Sequence, residues 1–595
     1  MPKTSLMLKN QVRPTTRYLQ ALLMGMQVVL ISLSVYHLWT RILPLYVYFA
    51  ILALIAITFA LIPFVNSGAS FVILDCSLLA FFLQMMFFFG THFKVLPFGD
   101  SYGSYGVLLN FLERGRLFII NPNPMPWSSP AQQFTLYSQW PGIFVLGMFL
   151  TELLGTCPFV VALVMPLAFF FSYLLFAYLI IKQLCKRMEG EKFLNSVATL
   201  LLIVMSWEFL PSFFYYFYLA SPLFMIILYL LLRIYGMGQV LARGHAAFFL
   251  LMVLTTASLV ITHHFTAILA VTFNALLLFA LKSATDQKRP YGRWDIRMIS
   301  AVALIILGIW LLYQCQLFLS SMVESFSTGI WQFLTPREFW TFYPKKIWPL
   351  WAEKLLQLRD YVLIALIGLG FLSMLKRSKV LRPWFMTVIF SSLLVSLVNV
   401  TVVATIPLRD LSSFLPFAAI AGALPVSYLT RHRSQIWKAV IVSLLALLVF
   451  STSLGLWAHT YLPMHLYDSG NNFENVGEHP LGWKSVKDFL NDRVNYNALE
   501  NILTDERYVA ALSVPVKWWQ KIYVIGEKGT TLPQTGLILI FRGFSTSIRN
   551  TYIAPMAPSA FYLDFDELEF KAGLLTDADK VYNNGFEFSI FYMKS

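Results

Sequence analysis

Long apolar runs constrain the fold of this chain more than any other feature. They recur between residues 18 and 458, and a run of about 20 such residues is long enough to cross a bilayer as a helix. The 595 residues are 58% hydrophobic and 12% charged, which is about half the charged fraction of a soluble domain. The sequence therefore predicts an all-α polytopic membrane protein.

The formal net charge of +14 does not predict a nucleic-acid-binding face. Residues 463–595 contain 12 Lys and Arg against 16 Asp and Glu, so the positive excess lies in the apolar part of the chain. There the cations concentrate in short loops such as 182–192 and 376–382. Lys and Arg in short loops favour the cytoplasmic side of a membrane. We therefore expect the lipid bilayer, and no nucleic acid, as a partner.

The same charge pattern predicts the topology. The basic N-terminus, residues 1–17, carries four cations and no acid, so we expect it to be cytoplasmic. Residues 18–462 then form a transmembrane domain of about 13 spans, with outer loops at 92–137 and 320–359. The predicted helices are 18–40, 44–65, 71–91, 158–181, 193–212, 222–237, 246–262, 265–282, 298–319, 360–375, 383–406, 411–430 and 438–458.

Two further segments have predicted structure. For the charge pattern to hold, the apolar stretch 141–155 cannot cross the membrane by itself. We expect it to be a short half-inserted helix that continues into the next one. The tail, residues 463–595, is polar and has strand-like runs bounded by Gly, Asn and Pro. It predicts an extracytoplasmic α/β cap domain.

An acidic residue, Asp100, follows the third predicted span. Behind it, Val107, Leu108, Phe111 and Leu112 recur at helical spacing, which predicts an amphipathic helix along the membrane interface. The proline-rich "NPNPMPWSSP" then prevents regular structure, and "YSQWPG" leads back into the membrane. An ionisable group near a bilayer is costly, so Asp100 is a candidate functional residue.

This order of elements resembles the first outer loop of the GT-C-fold glycosyltransferases that use polyprenyl-phosphate sugars. Two more segments agree, "LVITHHFTAILA" (259–270) and "DADKVYNNGFEFSIFY" (577–592). They are similar to segments of archaeal and bacterial relatives of the dolichyl-phosphate-mannose-protein mannosyltransferase type. The resemblance implies a GT-C-like helical core in the cell membrane. It also implies inverting transfer of a hexosyl or pentosyl group from a polyprenyl phosphate to an acceptor on the outer face. The acceptor, whether protein, lipid or glycan, is unknown.

The resemblance also suggests roles for individual residues. In such enzymes an acid of the first outer loop lies in the catalytic cleft, so Asp100 is the candidate general base. Cations must stabilise the leaving lipid phosphate, and the candidates to contact it are Arg409, Lys345, Lys346, His263 and His264. The candidates to line the cleft are His92, Lys94, Tyr102, Tyr137 and Trp140.

Each role has a plain alternative. Asp100 is also placed to cap the following helix or to pair with a nearby cation. Arg409 and the two lysines suit interface anchoring, and Arg409 is also placed to pair with Asp410. The two histidines suit hydrogen-bonded structural positions.

The sequence offers little support for a metal. Many relatives carry paired acids in this loop, whereas residue 102 is Tyr and Asp100 stands alone. Glu113 would lie about 20 Å further along if the intervening residues are helical. We therefore expect a metal-independent mechanism and no cofactor, because no paired-acid motif supports a divalent metal.

Two other functions fit the sequence. A transporter or lipid flippase would explain the many helices and the intramembrane acids Asp75 and Glu152. A surface-glycan polymerase or ligase would use a polyprenyl-diphosphate donor, and the two large outer loops suit it equally well.

Overall fold

The computed structural model describes most of the apolar region and five strands of the tail. The described residues are 14–90 except 41 and 66–68, parts of 104–115, 139–206 except 187 and 189, 216–236, 245–284, 292–315, 350–377, 381–402, 412–460 except 433, 502–504, 522–524, 536–541, 578–583 and 588–593. Their α-helices are α1 (Pro14–Thr40), α2 (Leu45–Leu61), α3 (Ala69–Gly90), α4 (Gly142–Leu154), α5 (Pro158–Cys185), α6 (Glu191–Ser206), α7 (Tyr216–Gly236), α8 (His245–Thr262), α9 (His264–Ala284), α10 (Gly292–Tyr313), α11 (Leu350–Arg377), α12 (Arg382–Val402), α13 (Leu415–His432) and α14 (Gln435–Thr460).

A helix lies at each span that the apolar runs predict. Within the described residues, six helices are long and apolar enough to cross a membrane, namely α1, α2 with the 3-10 turn Ile62–Val65, α5, α9, α11 and α14. Five shorter apolar helices accompany them. The exposed side chains of α11, such as Ile364, Leu369 and Leu372, are large and apolar, as a lipid-facing surface requires. The chain is a multi-pass membrane protein, whereas the figure of about 13 spans and the orientation of the termini stay predictions.

Helix α13 packs against α5, α6 and α11 in the middle of the bundle. Its sequence "FAAIAGAL" supplies small side chains, which let neighbouring backbones approach closely. The approach to α11 is the tightest, because a Cβ atom at Gly370 would overlap the carbonyl oxygen of Ala421. On another face, Gly422 lies against Leu201 of α6. The small residues of α13 therefore set the spacing of three helices.

The first and last of these helices, α1 and α14, pack against the same neighbour. Helix α2 packs against both α1 and α14. The ring centroid of Tyr48 lies 4.4 Å from His37 of α1 and 6.3 Å from Trp457 of α14. Trp457 also makes an edge contact with Phe49 at 5.2 Å. These buried rings join the two ends of the transmembrane domain.

One predicted boundary is wrong. The second outer loop was expected to extend over 320–359, but α11 begins at Leu350. The charged segment "AEKLLQLRD" resembles a loop in composition, yet its Ala, Glu, Lys, Leu and Gln residues are strong helix formers. Arg359 is 2% exposed and pairs with Asp360, which is 46% exposed, with Nη2 2.6 Å from Oδ1. This ion pair lowers the cost of a buried charge inside the helix.

The short helix α4 does not continue into α5 as predicted. It has 13 residues, about 20 Å of helix, which is too short to span a bilayer. Gly155 adopts a φ of 56°, its N–H donates to the carbonyl of Glu152, and the N–H of Thr156 donates to that of Thr151. Those two bonds form a Schellman cap that ends the helix. Pro158 then starts α5 at a position that suits proline.

The described part of the tail forms one mixed sheet of five strands. They are β1 (Ile502–Thr504), β2 (Ile522–Val524), β3 (Gly536–Phe541), β4 (Ala578–Asn583) and β5 (Phe588–Met593). The order across the sheet is β2-β1-β3-β5-β4. Strand β1 pairs in parallel with β2 and β3, and β5 pairs antiparallel with β3 and β4. The helical part of the predicted α/β cap lies outside the described residues, so that fold stays a prediction.

The Gly370 contact predicts a difference between two glycines of α11. Gly370→Ala should lower the stability of the detergent-solubilised protein by about 3 kcal/mol, because the new methyl group forces α11 away from α13. Gly368→Ala is the matched control, since a Cβ there meets nothing within 4 Å, and alanine is the better helix former. Thermal unfolding followed by tryptophan fluorescence measures both. Equal unfolding temperatures for the two variants would contradict the packing described here.

Candidate functional site

Three of the residues that the sequence singles out fall in the described structure, namely Trp140, His263 and His264. The remaining candidates lie outside the described residues: Asp100, Arg409, Lys345, Lys346, His92, Lys94, Tyr102 and Tyr137. Their proposed roles stay predictions. The three described residues come from two motifs, "YSQWPG" and "THHFTA", which are more than a hundred residues apart in the chain.

The structure brings these two motifs into direct contact. The ring centroids of Trp140 and His264 lie 4.1 Å apart. Two residues further on, Gly142 begins α4 against the last residue of α8, Thr262. A Cβ atom at Gly142 would overlap the Thr262 hydroxyl and lie 3.0 Å from its Cα, so only glycine fits. The Thr262 hydroxyl donates to the Ser258 carbonyl at 2.6 Å, which holds it in place.

His263 is the single residue between α8 and α9. Its Nδ1 accepts a hydrogen bond from the backbone N–H of Thr266 at 3.3 Å and lies 2.6 Å from the Thr266 hydroxyl. Thr266 is the third residue of α9, so His263 occupies the N-cap position and satisfies one of the orphan amides of that helix. His263 therefore occupies the hydrogen-bonded structural position that the sequence left open as an alternative to a ligand contact.

The residues that follow α10 contact the same group of side chains. The Cys315 thiol donates to the backbone carbonyl of Gln139 at 3.8 Å. We refer to Gln139, Trp140, Gly142, Thr262, His263, His264, Thr266 and Cys315 as the junction cluster. In the chain, residues 92–138 end at this cluster and residues 316–349 begin from it. The segment that contains Asp100 and the segment that contains Lys345 and Lys346 therefore each adjoin the cluster at one end in the sequence.

The junction cluster is buried and polar. Its side chains are 1–6% exposed at Gln139, Trp140, Thr262, His263, His264 and Thr266. Among the described residues, the side-chain oxygen of Gln139 has no hydrogen-bond partner. A buried acceptor without a donor is costly, so such a group needs an explanation. A ligand with a hydrogen-bond donor would supply one.

Two helices start at the cluster. Helix α4 begins at Gly142 with no side-chain cap, because its N-cap residue is Pro141. Helix α9 begins at His264, beside it. The N-terminus of a helix has unpaired N–H groups and a partial positive charge, which favour anions. The junction cluster therefore combines two such ends with two imidazole rings.

The amphipathic helix predicted after Asp100 is present. Residues 104, 105, 107–109, 111 and 112 are helical, and Val107, Leu108 and Phe111 are buried as the stripe predicts. The helix ends at Gly115, whose φ is 60° and whose N–H donates to the Phe111 carbonyl at 3.0 Å.

Aromatic contacts fix this helix over α4 and α5. Phe111 makes an edge contact with Phe144 near the start of α4, at 5.7 Å. Tyr105 makes one with Phe159 at the start of α5, at 6.0 Å. The helix thus runs antiparallel to α4. Burial, with a smaller effect of the Cys157 thiol, raises the pKa of Tyr105 to about 12, so its hydroxyl stays neutral at physiological pH.

The described residues contain no group of three His, Cys, Asp or Glu side chains that could hold a metal ion. Asp100 is not among them, so the prediction of a metal-independent mechanism is untested.

Sequence reasoning missed several members of the cluster. It gave no functional role to Gly142, Thr262, Gln139 or Cys315. The Pro-Gly step at the start of α4 was a usable signal, because glycine in a helix often marks a close backbone approach. Nothing in the sequence indicated that its partner would be Thr262.

Comparison with solved structures identifies the fold. The oligosaccharyltransferase of Archaeoglobus fulgidus, tethered to an acceptor peptide with an NVT sequon, superposes with a TM-score of 0.50 at 13% identity. The match covers 85% of this chain and 68% of that one. The chain has the GT-C fold. No family model and no curated protein matches the sequence.

Two structures of ArnT from Cupriavidus metallidurans also match. The one bound to undecaprenyl phosphate has a TM-score of 0.48 at 12% identity and covers 89% of this chain and 99% of that one. The apo structure has a TM-score of 0.45 at 10% identity and covers 83% and 93%.

The close approach at Gly142 predicts a destabilised variant. Gly142→Ala should cost about 1–3 kcal/mol of stability, because the methyl group meets the fixed Thr262 hydroxyl and backbone. Gly308→Ala in α10 is the control, since a Cβ there has open space. Thermal unfolding in detergent compares the two with the parent protein. A Gly142→Ala variant as stable as Gly308→Ala would show that α4 does not start against Thr262.

Proposed function

We propose that this protein is an integral membrane glycosyltransferase that moves a sugar from a polyprenyl-phosphate donor to an acceptor on the outer face of the membrane. The GT-C fold supports glycosyl transfer, and the solved archaeal structure with this fold is an oligosaccharyltransferase that holds an acceptor peptide. The proposal specifies neither the sugar nor the acceptor.

One observation carries the proposal, the contact between the Trp140 segment and the His263–His264 turn. Two of the three segments that carry the family resemblance pack against each other here, with the ring centroids of Trp140 and His264 4.1 Å apart. Two helix N-termini begin there, and such ends favour a phosphate group. Glycosyl transfer from a lipid phosphate releases that phosphate with its negative charge, which must be stabilised as the bond breaks.

The chemistry assigns a separate role to each kind of side chain. The acceptor hydroxyl or amine loses a proton as it attacks the anomeric carbon, and Asp100 is the proposed general base. The bond from the anomeric carbon to the phosphate oxygen breaks, and the lipid phosphate leaves. Arg409, Lys345 and Lys346 are proposed to stabilise its charge together with the junction cluster. In-line attack of this kind inverts the anomeric configuration.

The transporter alternative loses part of its motivation. Of the two acids that suggested it, Glu152 is exposed near the end of α4. Asp75 is 1% exposed and lies beside Gln27 of α1. Neither polar atom of the Gln27 side chain has a hydrogen-bond partner among the described residues, so Asp75 stays a buried acid that the transporter alternative would use. The polymerase or ligase that uses a diphosphate-linked donor is the stronger alternative, because it would use the same fold and the same anion site.

Sugar transfer by the purified protein tests the proposal. Radiolabelled sugar on a synthetic polyprenyl monophosphate should be transferred by the parent protein. Asp100→Asn should lower the rate by at least about 100-fold, the range for loss of a general base. Its unfolding temperature should stay that of the parent, since asparagine would also serve as an N-cap if residue 100 caps the following helix.

Two parallel reactions separate the alternatives. EDTA should leave the rate unchanged if no metal takes part. Transfer from the diphosphate donor alone would replace the proposal by the polymerase or ligase. No transfer from either donor, together with gradient-dependent uptake in vesicles, would replace it by the transporter. Full activity of Asp100→Asn would remove Asp100 as the base.

A further inference from the structure

The turn that ends α10 brings Trp310 and Gln139 to the same thiol. The backbone N–H groups of Gln314 and Cys315 both donate to the Trp310 carbonyl, at 2.9 and 3.1 Å. The Cys315 thiol in turn donates to the Gln139 carbonyl at 3.8 Å. Cys315 therefore connects the last turn of α10 with the residues that lead into α4.

Each of the two connected residues has a buried polar atom that forms no hydrogen bond within the described part of the chain. The Gln139 side chain is 6% exposed, and its oxygen has no donor. The Trp310 ring packs partly buried against the core, and its Nε1–H has no acceptor. The Cys315 sulfur lies beside the indole, but the pair lacks hydrogen-bond geometry, and a thiol is a weak acceptor.

The fold gains no hydrogen bond from these two atoms. A buried polar group without a partner is destabilising, whereas an apolar group of the same shape would avoid that cost. The neighbouring Thr262 hydroxyl and Cys315 thiol both donate to backbone carbonyls. The contrast indicates that the polar atoms of Gln139 and Trp310 serve a ligand.

The two atoms also indicate the chemistry of that ligand. One is an acceptor and the other is a donor. An ionised phosphate accepts hydrogen bonds and donates none, so it cannot serve the Gln139 oxygen. A hydroxyl group does both, and a sugar has several hydroxyl groups around its ring. A sugar therefore satisfies Gln139 and Trp310 together.

The position suits a sugar that is attached to a phosphate. Gln139 lies three residues before Gly142, where α4 begins, and the start of a helix favours an anion. Three residues of chain span at most about 11 Å. One glycosyl phosphate can therefore place its phosphate at the first turn of α4 and its sugar beside Gln139.

We propose that Gln139 and Trp310 form the subsite for the sugar of a glycosyl-phosphate donor. The Gln139 side-chain oxygen accepts from a hydroxyl of that sugar, and the Trp310 Nε1–H donates to a hydroxyl oxygen on the same edge of the ring. This inference rests on the proposed function for the nature of the ligand and assigns two contacts within it. Both residues bind the donor, and neither takes part in proton transfer.

Two substitutions remove the polar atoms and keep most of each side chain's shape. Gln139→Met removes the acceptor, and Trp310→Phe removes the N–H. Gln27→Met and Trp437→Phe are the matched controls, because they make the same exchanges in α1 and α14, outside the cluster. Without ligand, the two cluster variants should unfold at the parent's temperature or above it, since each loses a buried group that has no partner. Thermal unfolding in detergent measures this.

The binding probes are undecaprenyl phosphates that carry glucose, mannose, galactose or xylose, titrated into the full-length protein in detergent. Undecaprenyl phosphate is the ligand without a sugar. The parent should bind at least one sugar-bearing lipid more tightly than undecaprenyl phosphate. Gln139→Met and Trp310→Phe should each weaken binding of that lipid about three- to tenfold, the range for a lost hydrogen bond. The controls should match the parent, and undecaprenyl phosphate should bind every protein equally.

Monodeoxy forms of the preferred sugar distinguish a sugar hydroxyl from a bound water, which would satisfy the same two atoms. One monodeoxy lipid should bind the parent about three- to tenfold more weakly than the complete sugar. The same lipid should lose nothing in Gln139→Met, because the partner of that hydroxyl is already absent. Equal losses in the parent and in Gln139→Met, for every monodeoxy form, would assign the Gln139 oxygen to a water.

Four further results would overturn the inference. A lower unfolding temperature of both cluster variants would assign the two atoms to the fold. Parent-like binding of the sugar-bearing lipid by either variant would remove that residue from the subsite. Equal weakening for undecaprenyl phosphate would move the contact to the phosphate or the prenyl chain. No preference of the parent for any sugar-bearing lipid would exclude a sugar subsite.

The binding assays need no catalysis, so they separate the subsite from the proposed function. Sugar binding that depends on Gln139 and Trp310, without transfer to any acceptor, would overturn the proposed function and leave the subsite standing. Sugar transfer that neither substitution alters would have the opposite meaning.

Discussion

The described structure depends on one close approach, the start of α4 against the end of α8. Gly142 has no room for a side chain because Thr262 fills the space. Trp140 can contact His264 only while that approach holds, since a single residue, Pro141, separates Trp140 from Gly142. The same approach brings the start of α4 next to the start of α9. A single glycine thereby helps to set the geometry of a buried polar cluster.

Polar groups in a membrane bundle are costly unless they bind something. The Cys315 thiol and the Thr262 hydroxyl meet this requirement with backbone carbonyls. The Gln139 side-chain oxygen does not, within the part of the chain that the structure describes. His263 also meets it, because its Nδ1 faces the hydroxyl and the backbone N–H of Thr266. The contrast among these neighbours separates structural polar groups from a candidate binding surface.

The helices could be predicted from sequence because apolar length and loop charge are local properties. The helix after Asp100 was also predictable, since Val107, Leu108 and Phe111 form one stripe. The prediction failed where local composition was ambiguous, as at the charged start of α11, where buried Arg359 pairs with the exposed Asp360. It failed as well at Gly155, where the left-handed conformation ends α4.

The junction cluster was only partly predictable. The sequence singled out Trp140 and His264, but their contact joins residues that are more than a hundred positions apart. Such a contact depends on how α4, α8, α9 and α10 pack, and a local sequence pattern does not predict it. The N-cap role of His263 was left as one of two alternatives, because "HHFT" suits both a cap and a ligand contact. The two atoms of Thr266 that face Nδ1 show that the cap is real.

The most direct test is an experimental structure of the full chain in lipid nanodiscs with undecaprenyl phosphate bound. The phosphate should lie at the junction cluster, close to the first turns of α4 and α9. Phosphate density at another place in the bundle, with the cluster closed as it is here, would contradict the assignment of this cluster as the donor site.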